Sequence, residues 1–93
     1  MNDSFTFVIL TPDTIFYEGE ISSLVAPAVE GSFGVLSHHA PLVSRSDGGK
    51  VKVREISKKE RFFEVGPGLV EVFKNRVVLL TKHVLELSGI STA

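Results

Sequence analysis

The side chains with the most chemistry to offer are His38, His39 and His83, Ser37 beside the first pair, and Glu71 inside an apolar stretch. They do not assemble into a reactive set. His38 and His39 are adjacent, so on an extended chain their rings point apart. With no cysteine and no second histidine at ligand spacing, a metal site lacks donors. Ser37 beside His38 is no catalytic triad: a nucleophile elbow is missing and no carboxylate can be assigned as the third member. Gly31-x-x-Gly34 lacks the Lys-Ser/Thr pair and the helix that make a glycine loop bind phosphate. In Gly66-Pro67-Gly68, the proline removes one backbone donor that a phosphate cradle would use. Tight turns are the simpler reading of both. Glu71 lies between Val70 and Val72 and shares a strand face with Leu69 and Phe73. A carboxylate there is either exposed at an edge or paired across strands, and pairing is the expectation. No catalytic residue, cofactor or metal is expected.

Strands must carry these residues, because no stretch keeps a helical period and glycine and proline recur too often. The pattern predicts strands over Phe5 to Thr11, Thr14 to Glu18, Ile21 to Val29, Gly31 to Leu36 and Leu42 to Ser46. Further strands follow over Lys50 to Arg54, Arg61 to Val65, Leu69 to Phe73 and Val77 to Thr81. Gly19 closes the second, and Asp47-Gly48-Gly49 reads as a hairpin. Lys50 to Arg54 alternates, with Val51 and Val53 inward and the basic residues outward. Phe5 to Leu10 is apolar on both faces, so this strand is central or covered by a second chain. His83 to Leu87 fits a last strand or one helical turn. The predicted organisation is one domain over 1–87 and a tail over 88–93.

Composition narrows the function classes. The chain has 93 residues, 43% of them hydrophobic, enough for one core. The longest apolar run, Leu24 to Val29, is six residues with Pro27 inside it, far short of the roughly 20 of a spanning helix. The first four residues carry no basic segment of the kind that opens a signal peptide. A membrane role would come through a partner, and the lack of cysteine suits a cytosolic setting. Residues 1–44 hold five acids and no lysine or arginine, while residues 45–93 hold all ten basic residues and six acids. Strands that interleave in space would average this out; otherwise an acidic rim faces a basic partner. The basic residues are scattered singly and the pI is near 6.3, so nucleic acid is not an expected partner.

The segment Glu30-Gly31-Ser32-Phe33-Gly34-Val35-Leu36-Ser37-His38-His39-Ala40-Pro41-Leu42 resembles the signature of epsilon subunits of F-type ATP synthases: Glu-Gly, two residues, Gly, an apolar residue, then His-Ala-Pro-Leu. The matching histidine is His39. Upstream, Val8 to Asp13 and Tyr17-Glu18-Gly19-Glu20 resemble the family's opening hairpin. Downstream, Phe62 to Val72, with Gly66-Pro67-Gly68 before Leu69-Val70-Glu71-Val72, resembles its second signature. The likeness runs in order over about residues 5 to 82. Ser32, Arg45, Ser46 and Pro67 depart from the family pattern. The two helices that usually follow the sandwich, which in the family inhibit hydrolysis and in some members bind ATP, are expected to be missing here.

The resemblance implies an all-β fold, a flattened antiparallel β-sandwich or barrel of about ten short strands. It implies a non-catalytic rotor subunit of the central stalk, coupling the gamma subunit to the c-ring during proton- or sodium-driven synthesis. Its implied partners are gamma and the polar loops of the c-ring, whose loops commonly carry arginine. It would reach the cytoplasmic face of the cell membrane, or the equivalent organelle face, only through the complex, and no nucleotide is expected. The implied docking residues are Glu30, Gly31, Ser32, Gly34, His38, His39, Ala40, Pro41 and Leu42, while Gly66, Pro67, Gly68 and Glu71 are structural. Glycines at 31 and 34 allow close approach, and Pro41 holds Ala40 extended, which stiffens the loop after His39. An unrelated β-sandwich adaptor, or a small hydrolase or ligand-binding barrel, would fit the composition but not the two ordered motifs.

Overall fold

The computed structural model describes residues 4–28, 31–36 and 41–87, with side chains of 28–40 left aside. Nine strands make up the described chain: β1 Phe5–Leu10, β2 Ile15–Ala28, β3 Gly31–Leu36, β4 Leu42–Ser46, β5 Gly49–Glu55, β6 Glu60–Val65, β7 Gly68–Phe73, β8 Arg76–Thr81 and β9 Val84–Leu87. They run in the order β4-β7-β8-β1-β2-β5-β6-β9, with β3 on the far half of β2. The segment left open between strand and helical turn is therefore a strand, β9, paired with β6.

β2 explains how one sheet becomes two layers. A break at Gly19 was expected; the strand instead continues for 14 residues. Its first half pairs with β1 and its second half with β5 and β3. Gly19 fits inside the strand because a Cβ there would stand 2.8 Å from the Tyr17 hydroxyl, so its missing side chain makes room for that ring. Two bulges change which residues face in. Phe16 is the extra residue between the Ile9–Tyr17 and Leu10–Ile15 pairs, and Ser22 the extra one between Ile21–Glu55 and Ser23–Arg54. Before Ser22 the odd residues Tyr17 and Ile21 are buried; after it the even residues Leu24 and Ala26 are. Such a bulge lets a strand turn a corner and pass from one layer to the other.

The core lies between the layers. Phe5, Phe7, Ile9, Val70, Val72, Val77 and Leu79 meet Leu24, Ala26, Val51, Val53, Phe63 and Val65 in one cluster. Full burial of each large side chain stabilises by roughly 1.5–3 kcal/mol. The molecule measures 35 × 35 × 27 Å, a flattened shape.

Two turn expectations are refined by the topology. Asp47-Gly48-Gly49 is not a hairpin, because β4 pairs with β7 and β5 with β6. It carries the chain between layers, with Gly48 at φ 93° packed against the Val65 carbonyl. Gly66-Pro67 is tight, but it too joins strands of different layers. The close hairpin is at Lys74 and Asn75, both with positive φ, as a two-residue type I′ turn needs. One pair departs from the antiparallel rule: β1 and β8 are parallel. The chain between them traverses the second layer before returning, the long connection that a parallel pair requires.

Candidate docking surfaces

β1 is central, lying between β2 and β8, and it is apolar on both faces. Phe5, Phe7 and Ile9 fill the core, while Val8 and Leu10 belong to the outward row. In register, Val8 stands beside Val78, which stands beside Glu71, which stands beside Val43; Leu10 stands beside Leu80 and then Leu69. The outward face of β4-β7-β8-β1 is therefore largely apolar, with Glu71, Arg45 and Arg76 set among the apolar residues. Val43 is 67% exposed, Phe73 52%, Leu69 42% and Leu80 40%. These exposed apolar residues share one side of a small domain, interrupted by Glu71, and exposed apolar clusters of this kind mark interaction surfaces.

At one end of this face a shallow cleft of about 560 Å³ opens between the β1–β2 turn and the corner before β7. Leu10, Pro12, Pro67, Leu69 and Leu80 supply its apolar wall. Thr81 organises the floor: its hydroxyl lies 3.1, 3.2 and 3.2 Å from the carbonyls of Gly66, Pro67 and His83. The Gly66 amide donates to the His83 carbonyl at 2.9 Å, so the two corners brace each other.

Glu71 differs from expectation. It is exposed and makes no ion pair or hydrogen bond with any described residue. Its cross-strand neighbours are Val43 and Val78, so water solvates it in place of a partner. Leu42 is half-buried and packs against the core, because β4 pairs it with Val72. Pro41 is exposed. Gly31, Ser32 and Gly34 sit on β3, where their backbones pair with Ala28, Pro27 and Val25. Glu30, Ser37, His38, His39 and Ala40 lie outside the described residues. His83 is exposed at the cleft rim. No cluster of three or more His, Cys, Asp or Glu residues that could hold a metal occurs among the described residues.

One polar network went unseen in the sequence. The Tyr17 hydroxyl donates to Glu55 at 2.7 Å. Arg61 reaches Glu55 at 3.3 Å and grips Glu86 with two bonds of 2.9 Å, while its guanidinium lies 5.0 Å from the Tyr17 ring centre. Burial, then the bond and charge of Glu55, push the Tyr17 phenol well above its ordinary value. The two bonds from Arg61 hold Glu86 below the usual carboxylate range. The network ties β2, β5, β6 and β9 together at the edge of the core. A single tyrosine in the chain was its one available signal.

Residues 4–86 match the family described as ATP synthase, Delta/Epsilon chain, beta-sandwich domain. The chain belongs to this family. It is 41% identical over 81 residues to the ATP synthase epsilon chain of Chlorobaculum tepidum, covering 87% of this chain and 92% of that one. It is likewise 41% identical over 75 residues to the epsilon chain of Leptospira borgpetersenii, covering 81% of this chain and 58% of that one. Against a chain in the Euglena gracilis mitochondrial ATP synthase structure (OSCP, F1 and c-ring) the TM-score is 0.87 at 18% identity, over 98% of this chain and 58% of that one. A chain of the Tetrahymena thermophila mitochondrial central stalk and c-ring gives 0.71 at 18%, over 86% and 64%. These two likenesses concern the fold.

Proposed function

We propose that this chain is a non-catalytic rotor subunit of an F-type ATP synthase, joining gamma to the c-ring at the foot of the central stalk. One observation carries the reading: a family sandwich with a closed core leaves large apolar side chains exposed on the face of β4-β7-β8-β1. A permanent partner suits such a face, because obligate interfaces are more apolar than transient ones. We assign that face to gamma. The Glu30 to Leu42 segment, with Gly31, Ser32, Gly34, His38, His39, Ala40 and Pro41, is assigned to the polar loops of the ring. Leu42 serves there as an inward anchor for the segment. The rigid slab transmits torque; it makes and breaks no bonds. It reaches the cytoplasmic face of the membrane only through the complex.

Nucleotide binding is not part of this role. Gly31 and Gly34 are built into a ladder with β2 that runs on to Leu36. The test of the gamma assignment is co-purification: Leu80→Arg, on the exposed face, is expected to abolish capture of gamma while leaving the circular dichroism spectrum unchanged. Normal capture by that variant would remove gamma from this face.

A further inference from the structure

On the outward face, Glu71 is the lone carboxylate of the row Val43–Glu71–Val78–Val8. Leu69 and Phe73 flank it along β7. Arg45 and Arg76 lie one row away, opposite Leu69 and Phe73, and neither pairs with it. Water satisfies this carboxylate in the free subunit. A purely apolar partner would strip that water and strand the charge, a large cost with no compensation. A partner that covers Glu71 without drawing Arg45 or Arg76 onto it must bring a donor of its own. Beside it, the cleft walled by Leu10, Pro12, Pro67, Leu69 and Leu80 is open to one large apolar group. Leu69 and Glu71 are two residues apart on one strand face, so the two features are separated by roughly 7 Å.

We propose that the face recognises a protein element carrying one large aliphatic or aromatic side chain and one arginine or lysine roughly 7 Å from it, a spacing set by β7. The apolar group seats in the cleft, and the cation docks on Glu71. The cleft supplies area and the carboxylate supplies register, since a shifted partner would leave the charge covered and unpaired. This rests on the assignment of the face to gamma, and names the chemistry that gamma must present there.

The experiment measures binding of the full chain to immobilised gamma subunit across a salt series. Glu71→Gln keeps the size of the side chain and is expected to weaken binding about thirtyfold, with a flatter salt dependence. Glu71→Lys is expected to weaken it further. Leu69→Trp, which fills the cleft, should weaken binding about tenfold without changing the salt dependence. Glu71→Gln and Glu71→Lys binding as tightly as the wild type, while Leu80→Arg does not bind, would overturn the cation and leave the face as the gamma surface. If Leu80→Arg also binds normally, the face is not the gamma surface and the inference falls with it.

Discussion

Tyr17 is the residue in which packing and electrostatics meet most closely. It is 8% exposed, its ring packs 5.9 Å from Phe7 and 5.2 Å from Phe63, and its hydroxyl donates to Glu55. Ionising it would set a phenolate against a carboxylate, so burial and Glu55 both raise its pKa. The folded state thus binds this proton more tightly than the unfolded chain does. The stability it contributes is whole below the ordinary tyrosine pKa near 10 and declines as pH rises beyond it. Because it is the only tyrosine, its phenolate absorbance reports it directly. Titration should show no ionisation near pH 10, and a phenolate signal that appears together with unfolding. A reversible step near pH 10 in folded protein would contradict the network. Glu86 acts in the opposite range. Arg61 lowers its folded pKa, so its contribution is present above the ordinary glutamate value near 4.3 and lost as pH falls through the folded one. Glu86→Gln is expected to flatten the acid decline of the melting temperature and to cost at most about 1 kcal/mol at neutral pH, since the pair is partly exposed. The slope should shrink without vanishing, because the bond from Arg54 lowers Glu60 and those from Thr6 and Ser4 lower Glu20.

Among elements, the corner between β6 and β7 separates two glycines that look alike in sequence. A Cβ on Gly68 would lie 1.8 Å from the Leu80 carbonyl oxygen, which belongs to the ladder and cannot move aside alone. A Cβ on Gly66 would meet the His83 side chain at 3.4 Å, an ordinary contact. Gly68→Ala is therefore expected to destabilise by about 3 kcal/mol or more, lowering the melting temperature by at least about 10 °C. Gly66→Ala should stay within about 0.5 kcal/mol. Thermal melts of the two variants side by side decide this; equal losses would mean that the β7–β8 ladder does not approach the corner as described. The same reasoning applies to β2, where glycine and two bulges keep a strand continuous through a change of layer.

For the whole molecule, the two proposed docking regions are built on different layers, meeting only where the Glu30 to Leu42 segment enters β4. The apolar face lies on β4-β7-β8-β1, while β3 pairs with the far half of β2. Damage to one should therefore spare the other. Gly34→Arg is expected to impair capture of the c-ring with gamma binding retained, and His39→Asp to do the same by removing the displayed imidazole and its fit to the ring loops. Leu80→Arg should show the reverse pattern. Pull-downs with each partner, and circular dichroism for folding, test this. If both variants of the Glu30 to Leu42 segment bind the ring as the wild type does, that segment is not the ring surface. A single Glu30→Ala should be nearly silent, since removing one rim charge costs about 0.2–1 kcal/mol.

Alternation alone determined much of this protein. Val51 and Val53 face in and Lys50, Lys52 and Arg54 face out because side chains on a strand alternate, a rule that needs no partner strand. The double-faced apolar pattern of Phe5 to Leu10 likewise marked a central strand, and two ordered motifs marked the family. Pairing was decided elsewhere. Whether Gly19 ends a strand, whether Asp47-Gly48-Gly49 closes a hairpin, and whether Glu71 finds a partner depend on which strands become neighbours, and contacts distant in sequence set that. The exposed face proposed for docking is the clearest case. Val43, Leu69, Val78, Leu80 and Leu10 come from four separate strands, and only the ladders β4-β7-β8-β1 bring them onto one surface. The Tyr17–Glu55–Arg61–Glu86 network is equally non-local, since its members meet only after β2, β5, β6 and β9 are in register.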